Sequence, residues 1–145
     1  MYTYIHRVQY YETDKMGITH HSNYIRWMEE ARVAFLDHIG YGYAKLERDG
    51  IISPVVGVEC QYKHATTFDD EVKIAVGVDE FRGVRLVIQY QMTNANTGEL
   101  VLVGKTTHCF TDSHGKPIVL KKQFPEMDSL LKSLSITKVP EQTKS

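Results

Sequence analysis

The chain has 145 residues, 42% hydrophobic and 24% charged, with 17 basic against 18 acidic side chains and a formal net charge of -1. A chain of this length buries roughly 68–70% of its unfolded surface, enough for one core without staples, so 1–145 reads as a single domain. The balanced charge argues against a nucleic-acid partner, and the absence of any 18-residue apolar run or apolar N-terminal region argues against a membrane span or export signal. Cys60 and Cys109 stand alone, outside any CxxC pair, which provides neither a disulfide framework nor a zinc knuckle and suits a cytoplasmic location.

Along the chain, Tyr2, Tyr4, His6, Val8 and Tyr10 alternate with Thr3, Ile5, Arg7 and Gln9, a two-residue period that predicts a strand over 2–10. A polar, glycine-containing segment follows from Tyr11 to Asn23. The period then changes to three and four residues at Tyr24, Trp27, Met28, Ala31, Phe35 and Ile39, which marks the buried face of a long helix. Ser22 or Asn23 is expected to cap that helix, and Gly40 to end it. Gly42 to Gly50 reads as irregular. Strand patterns dominate afterwards: Ile51 to Tyr62, an alternating run from Val72 to Asp79, another from Val84 to Met92, and Leu100 to Thr111. The turn-like segments 81–83, 94–98 and 112–115 imply an antiparallel meander. Pro125, Met127, Leu130, Leu131 and Leu134 predict a short amphipathic C-terminal helix, and 136–145 a flexible polar tail. The expected architecture is α+β, an antiparallel sheet of about five strands curled around one long central helix. An unpaired edge strand predicts dimerisation, edge to edge.

The segment Tyr11-Glu12-Thr13-Asp14-Lys15-Met16-Gly17-Ile18-Thr19-His20-His21-Ser22-Asn23-Tyr24 places an acid, a glycine and two histidines directly before the long helix. The first N–H groups of a helix lack internal partners and carry partial positive charge, a setting that stabilises the oxyanion of an acyl transfer. A carboxylate in the preceding loop can serve there as nucleophile or as general base toward water. The alternative for Asp14 is a structural one, an acid that merely caps the helix. No third ligand joins His20 and His21 at helical spacing, so no metal is expected. His6, His64, His108 and His114 are scattered, and strand packing or solvent exposure is their default reading.

The run YYETDKMGITHHSNYIRWMEEAR resembles the signature of the hotdog-fold acyl-CoA thioesterases of the 4-hydroxybenzoyl-CoA thioesterase type. The run from Val58 to Val72 is similar to that family's second block, and Gly83-Val84-Arg85 to a third; together the likeness spans roughly residues 3 to 125. The resemblance implies a hotdog fold and a hydrolase that cleaves acyl-CoA thioesters to a carboxylic acid and free coenzyme A, without a cofactor. It matches Asp14 to the catalytic carboxylate and His21 to the position whose backbone N–H polarises the thioester carbonyl. Gly17, Asn23 and Tyr24 fall beside the acyl group, and Lys63, Arg82 and Arg85 are the candidates for the coenzyme A phosphates. Tyr11, Tyr24, Trp27, Tyr41 and Tyr43 offer an aromatic lining for the acyl part. It further implies a homodimer or homotetramer with active sites at the dimer interface. The rival readings are a thioesterase acting on acyl carrier protein, a non-catalytic acyl-CoA-binding hotdog protein and a hotdog hydratase.

Overall fold

The computed structural model describes residues 1–137. In chain order it contains β1 (Tyr2–Arg7), a 3-10 turn (Tyr10–Glu12), α1 (Ser22–His38), α2 (Tyr43–Arg48), β2 (Val55–Tyr62), β3 (Glu71–Phe81), β4 (Arg85–Asn94), β5 (Leu100–Cys109), α3 (Leu120–Gln123) and α4 (Pro125–Leu134). The strands form one antiparallel sheet in the order β1-β3-β4-β5-β2. The expected meander is therefore β3-β4-β5, whereas β2 and β3 stand on opposite sides of it although they are neighbours in sequence.

The helix face read from the sequence is the face that is buried. Tyr24, Trp27, Met28, Ala31, Phe35 and Leu36 are all in the core, and α1 reaches every strand of the sheet. Tyr4 of β1 hydrogen-bonds Glu30, α1 packs on β3, Arg32 donates to Tyr90 of β4, and the Tyr24 ring meets Tyr62 of β2 at 5.5 Å. Against β5 the approach depends on Gly104, where an added Cβ would stand 3.1 Å from the Met28 sulfur, Cys60 Cβ and the Glu59 carbonyl. After β5, α3 and α4 add Leu120, Met127 and Leu131 to the same core cluster as α1, with α4 against β3.

The helix ends as expected and begins differently. Gly40, at φ 91, terminates it in a Schellman arrangement, with Gly40 N–H donating to Asp37 O and Tyr41 N–H to Leu36 O. Neither Ser22 nor Asn23 caps it. His21 is the N-cap, with no side-chain cap bond, and the His20 ring nitrogen accepts from Ser22 N–H at 3.3 Å. Asn23 is drawn inward to serve as a donor instead. Three further expectations change. The stretch 42–50 contains α2, the first strand stops at Arg7, and Ile136 and Thr137 donate to Val78 O and Asp79 O, so the tail is tied to β3 over its first two residues. Residues 138–145, the rest of that expected tail, lie outside the described residues.

One buried polar string ties helix to sheet. Arg32, 5% exposed, donates to the hydroxyls of Tyr43 and Tyr90; Tyr90 meets Thr106 at 2.6 Å, and Thr106 meets His108 Nε2 at 2.8 Å. Burial, the Arg32 charge and, in the opposite sense, a hydrogen bond to the Ser53 main chain leave the His108 imidazole titrating at about 4. In the unfolded chain it titrates at its ordinary 6.5. Its folded value is depressed, so its contribution to stability is complete above 6.5 and is lost as pH falls from 6.5 toward 4. The total is about 3 kcal/mol at 1.36 kcal/mol per unit. Urea unfolding at pH 7.5 and 4.5 checks this: His108→Gln should remove most of that pH-dependent loss, and an unchanged loss in the variant refutes it.

Candidate active site

Residues 13–19 form a tight hairpin. Thr13 pairs with Thr19, Asp14 N–H donates to Ile18 O, and Gly17 N–H returns to Asp14 O with Gly17 at φ 78, the left-handed position such a three-residue loop requires. Gly17 thus serves the backbone turn. Asp14 is half-buried at the start of the loop, and its Oδ1 accepts the Met16 N–H at 2.8 Å. Among the described residues Oδ2 has no hydrogen-bond partner. The hairpin is clamped to the connection between β2 and β3 by Thr19, whose N–H and hydroxyl both reach Thr66, and its far arm runs straight into His20, His21 and α1. His21 is exposed, its ring stacked on His20 at 4.4 Å and edge-on to Tyr62 at 6.4 Å. No hydrogen bond from the His21 N–H is formed among the described residues. The hairpin therefore joins an available carboxylate oxygen and the open start of a 17-residue helix within one bonded unit.

The remaining expected residues divide. Tyr24 is buried, its hydroxyl on Thr66 at 3.1 Å and its ring edge-on to Trp27. Asn23 is buried and donates to Glu12 O at 2.9 Å, which makes it a brace under the helix start. Lys63 follows β2 directly and is exposed at the same end of the sheet as His21 and Tyr62. Arg82 and Arg85 are at the opposite end. Arg85 pairs with Cys109 on the ladder, whereas Tyr62 pairs with Leu102, a separation of about 23 Å along β5 at the usual strand rise. Arg82 ion-pairs with Glu80 at 3.5 Å, and Arg85 lines a cavity of about 610 Å³ with Val56, Val84, His108, Phe110 and Ile118. A single chain thus does not bring its three candidate phosphate ligands together.

The aromatic lining is corrected in the same way. Trp27 is fully buried against His6, Tyr41 and Tyr43 lie beyond the C-terminal end of α1, about 25 Å of helix from its start, and Tyr11 is 80% exposed. The aromatic beside the site that sequence reading missed is Tyr62, half-exposed against Tyr24 and His21, its titration pushed up to about 12 by the neighbouring Cys60 thiol and by burial. Glu12 was also missed as a separate actor. It is 5% exposed and holds His6, Gln9 and Trp27 at once. Its signal in the sequence was only an acid beside a better-placed acid.

Among the described residues, no group of three His, Cys, Asp or Glu is arranged to hold a metal, and no helix is long and apolar enough to cross a membrane. A five-stranded antiparallel sheet spanned by one long helix is the hotdog arrangement of thioester hydrolases. The chain belongs to the thioesterase-like superfamily, whose family model matches residues 8–142. It is 34% identical over 120 residues to a putative acyl-CoA thioesterase, YneP, of Bacillus subtilis, covering 82% of this chain and 86% of that protein. It is also 27% identical over 121 residues to the acyl-CoA thioester hydrolase YbgC of Escherichia coli O157:H7, covering 80% and 87%. Among solved structures, the DHNA-CoA thioesterase of Staphylococcus aureus superposes with a TM-score of 0.84 at 32% identity, covering 95% of this chain and 97% of that one.

Proposed function

We propose that the protein hydrolyses acyl-CoA thioesters with Asp14 as the catalytic carboxylate, in a site completed by a second copy of the chain. The observation that carries this reading is the hairpin itself: the Asp14 Oδ2 and the His21 N–H, both without partners among the described residues, belong to one hydrogen-bonded turn entering α1. Asp14 attacks the thioester carbonyl or takes a proton from the water that does. The His21 N–H, at the positive end of α1, receives the oxyanion. The departing thiolate needs little acid assistance, because a free thiol titrates near ~8.5.

The second copy enters through β2. This edge strand is rich in valine yet open to solvent, with Val56 61%, Val58 43% and Tyr62 50% exposed. An open edge that carries exposed valines is satisfied by pairing with its own copy about a two-fold axis. In that antiparallel pairing the Val56 end of one strand meets the Tyr62 end of the other. The cavity lined by Val56, Arg85 and Phe110 of one copy then opens beside the hairpin and Lys63 of its mate. Lys63 and Arg85, kept apart within a chain, become neighbours around one coenzyme A, the cation pair its phosphates require.

A panel of aliphatic and aromatic acyl-CoA esters, read by thiol release, tests the activity. Turnover of at least one ester is expected, with a KM that rises with added salt because the phosphates are held by exposed cations. A purified, folded protein that releases no thiol from any of them overturns the reading.

A further inference from the structure

We propose that the Glu12 carboxylate is a positioning residue for this reaction, clamping the base of the Asp14 hairpin to β1 and α1 so that the carboxylate and the helix start face one carbonyl. The inference rests on the hydrolase reading of Asp14. Three donors converge on the two oxygens of Glu12: Gln9 N–H and His6 Nε2 on Oε1, each at 2.8 Å, and Trp27 Nε1 on Oε2 at 2.7 Å. The main-chain carbonyl of the same residue accepts His20 N–H at 2.8 Å and Asn23 Nδ2 at 2.9 Å. One residue therefore grips the strand before the hairpin, the helix after it and, through His20 and Asn23, the chain on either side of the helix start. Everything from Thr13 to Thr19 is a loop pinched off between those grips.

Behind Glu12 stands a second line. The other ring nitrogen of His6 meets Glu30 Oε1 at 3.0 Å, Tyr4 donates to the same oxygen at 2.8 Å, and the His6 ring lies 4.4 Å from that of Trp27. These neighbours fix the orientation of His6 from both sides. Burial pushes the Glu12 carboxyl up, but the bonds from Gln9, Trp27 and His6 outweigh it and hold it below the usual carboxylate range. The group is thus an ionised acceptor at both oxygens, and only such a group satisfies all three donors.

Glu12→Gln keeps the shape and removes one acceptor. Its amide nitrogen must face either Gln9 N–H or Trp27 Nε1–H, a donor against a donor. Turning the amide toward Trp27 leaves the Gln9 and His6 bonds intact, so the conflict settles on Trp27. Glu12→Gln is expected to lower kcat ten- to a hundredfold with KM changed less than threefold, and to speed amide hydrogen exchange over residues 13–23 at least tenfold while the β4–β5 ladder keeps its rates. Adding Trp27→Phe removes the opposing N–H, so the double variant should be faster than Glu12→Gln alone although a core side chain has shrunk. Wild-type kcat with unchanged exchange overturns the proposal. So does a uniform rise of exchange that includes β4–β5, or a double variant slower than the single, because each makes Glu12 an ordinary stability contact. If Glu12→Gln does not fold, Trp27→Phe alone decides by exchange, faster over 13–23 supporting the clamp and unchanged rates overturning it. If the wild-type protein releases no thiol from any ester, the hydrolase reading falls on that result, and exchange in Glu12→Gln still decides whether the clamp exists.

Discussion

Asp14→Asn is expected to retain the fold and lose at least a hundredfold in kcat on the best acyl-CoA ester. The two halves of that result come from different oxygens. Oδ1 accepts the Met16 N–H and closes a side-chain turn, and asparagine is among the residues that make such turns, so the hairpin survives. Oδ2 is the oxygen without a partner among the described residues, and an amide NH2 in its place neither attacks a carbonyl nor takes a proton. A positioned general base contributes typically 10²–10⁴-fold, which sets the scale of the loss. Thiol release under saturating substrate measures it, with near-UV circular dichroism as the check on the fold. A folded variant within tenfold of wild type removes Asp14 from the chemistry.

Introducing lysines at Val56 and Val58 is expected to give a folded monomer with activity reduced at least a hundredfold. Both side chains are exposed on β2, at 61% and 43%, so the substitutions disturb little inside the chain. They do place like charges on the edge where two copies would meet, the device by which natural edge strands avoid pairing. Light scattering after size exclusion reads the mass, and thiol release the activity. A monomer of wild-type activity shows that one chain suffices. Mixing separates the two halves of the site: Asp14→Asn and Arg85→Ala chains, each nearly inactive alone, should recover roughly a quarter of wild-type activity when refolded together, because half the pairs are mixed and each mixed pair rebuilds one of its two sites.

Much of the fold was legible because its signals are local. The face of α1 follows from the spacing of Tyr24, Trp27, Met28, Ala31 and Phe35, and the turns of the meander from their glycines at 83 and 98, both at positive φ. What was missed is relational. An unpaired edge was expected, but valine at 56 and 58 gives the same strand pattern in an interior strand as in an edge strand, so the sequence does not tell that β2 is the edge. The sequence order of β2 and β3 also does not tell that the meander stands between them. Arg32 sits on the buried helix face without an apolar neighbour's excuse, and only the phenols of Tyr43 and Tyr90, from α2 and β4, explain it. α2 was hidden by its length, since six residues allow too few turns for a period to emerge. In the candidate site the carboxylate stood out because it precedes a helix. The separation of Lys63 from Arg85 did not, because spacing along a chain carries no information on which end of a strand each residue reaches.

The string from Arg32 to Ser53 has one sense only. A guanidinium can give hydrogens and never take them, and the main-chain group at the other end takes the one on the far nitrogen of His108, so each hydroxyl between them is turned the same way. The tautomer of the imidazole on β5, with its proton toward the Ser53 main chain, thus fits a row that begins at a cation on α1 and crosses β4. Helix and sheet are keyed to each other by polarity as well as by shape, and a helix displaced by one turn would leave the guanidinium without its phenol acceptors.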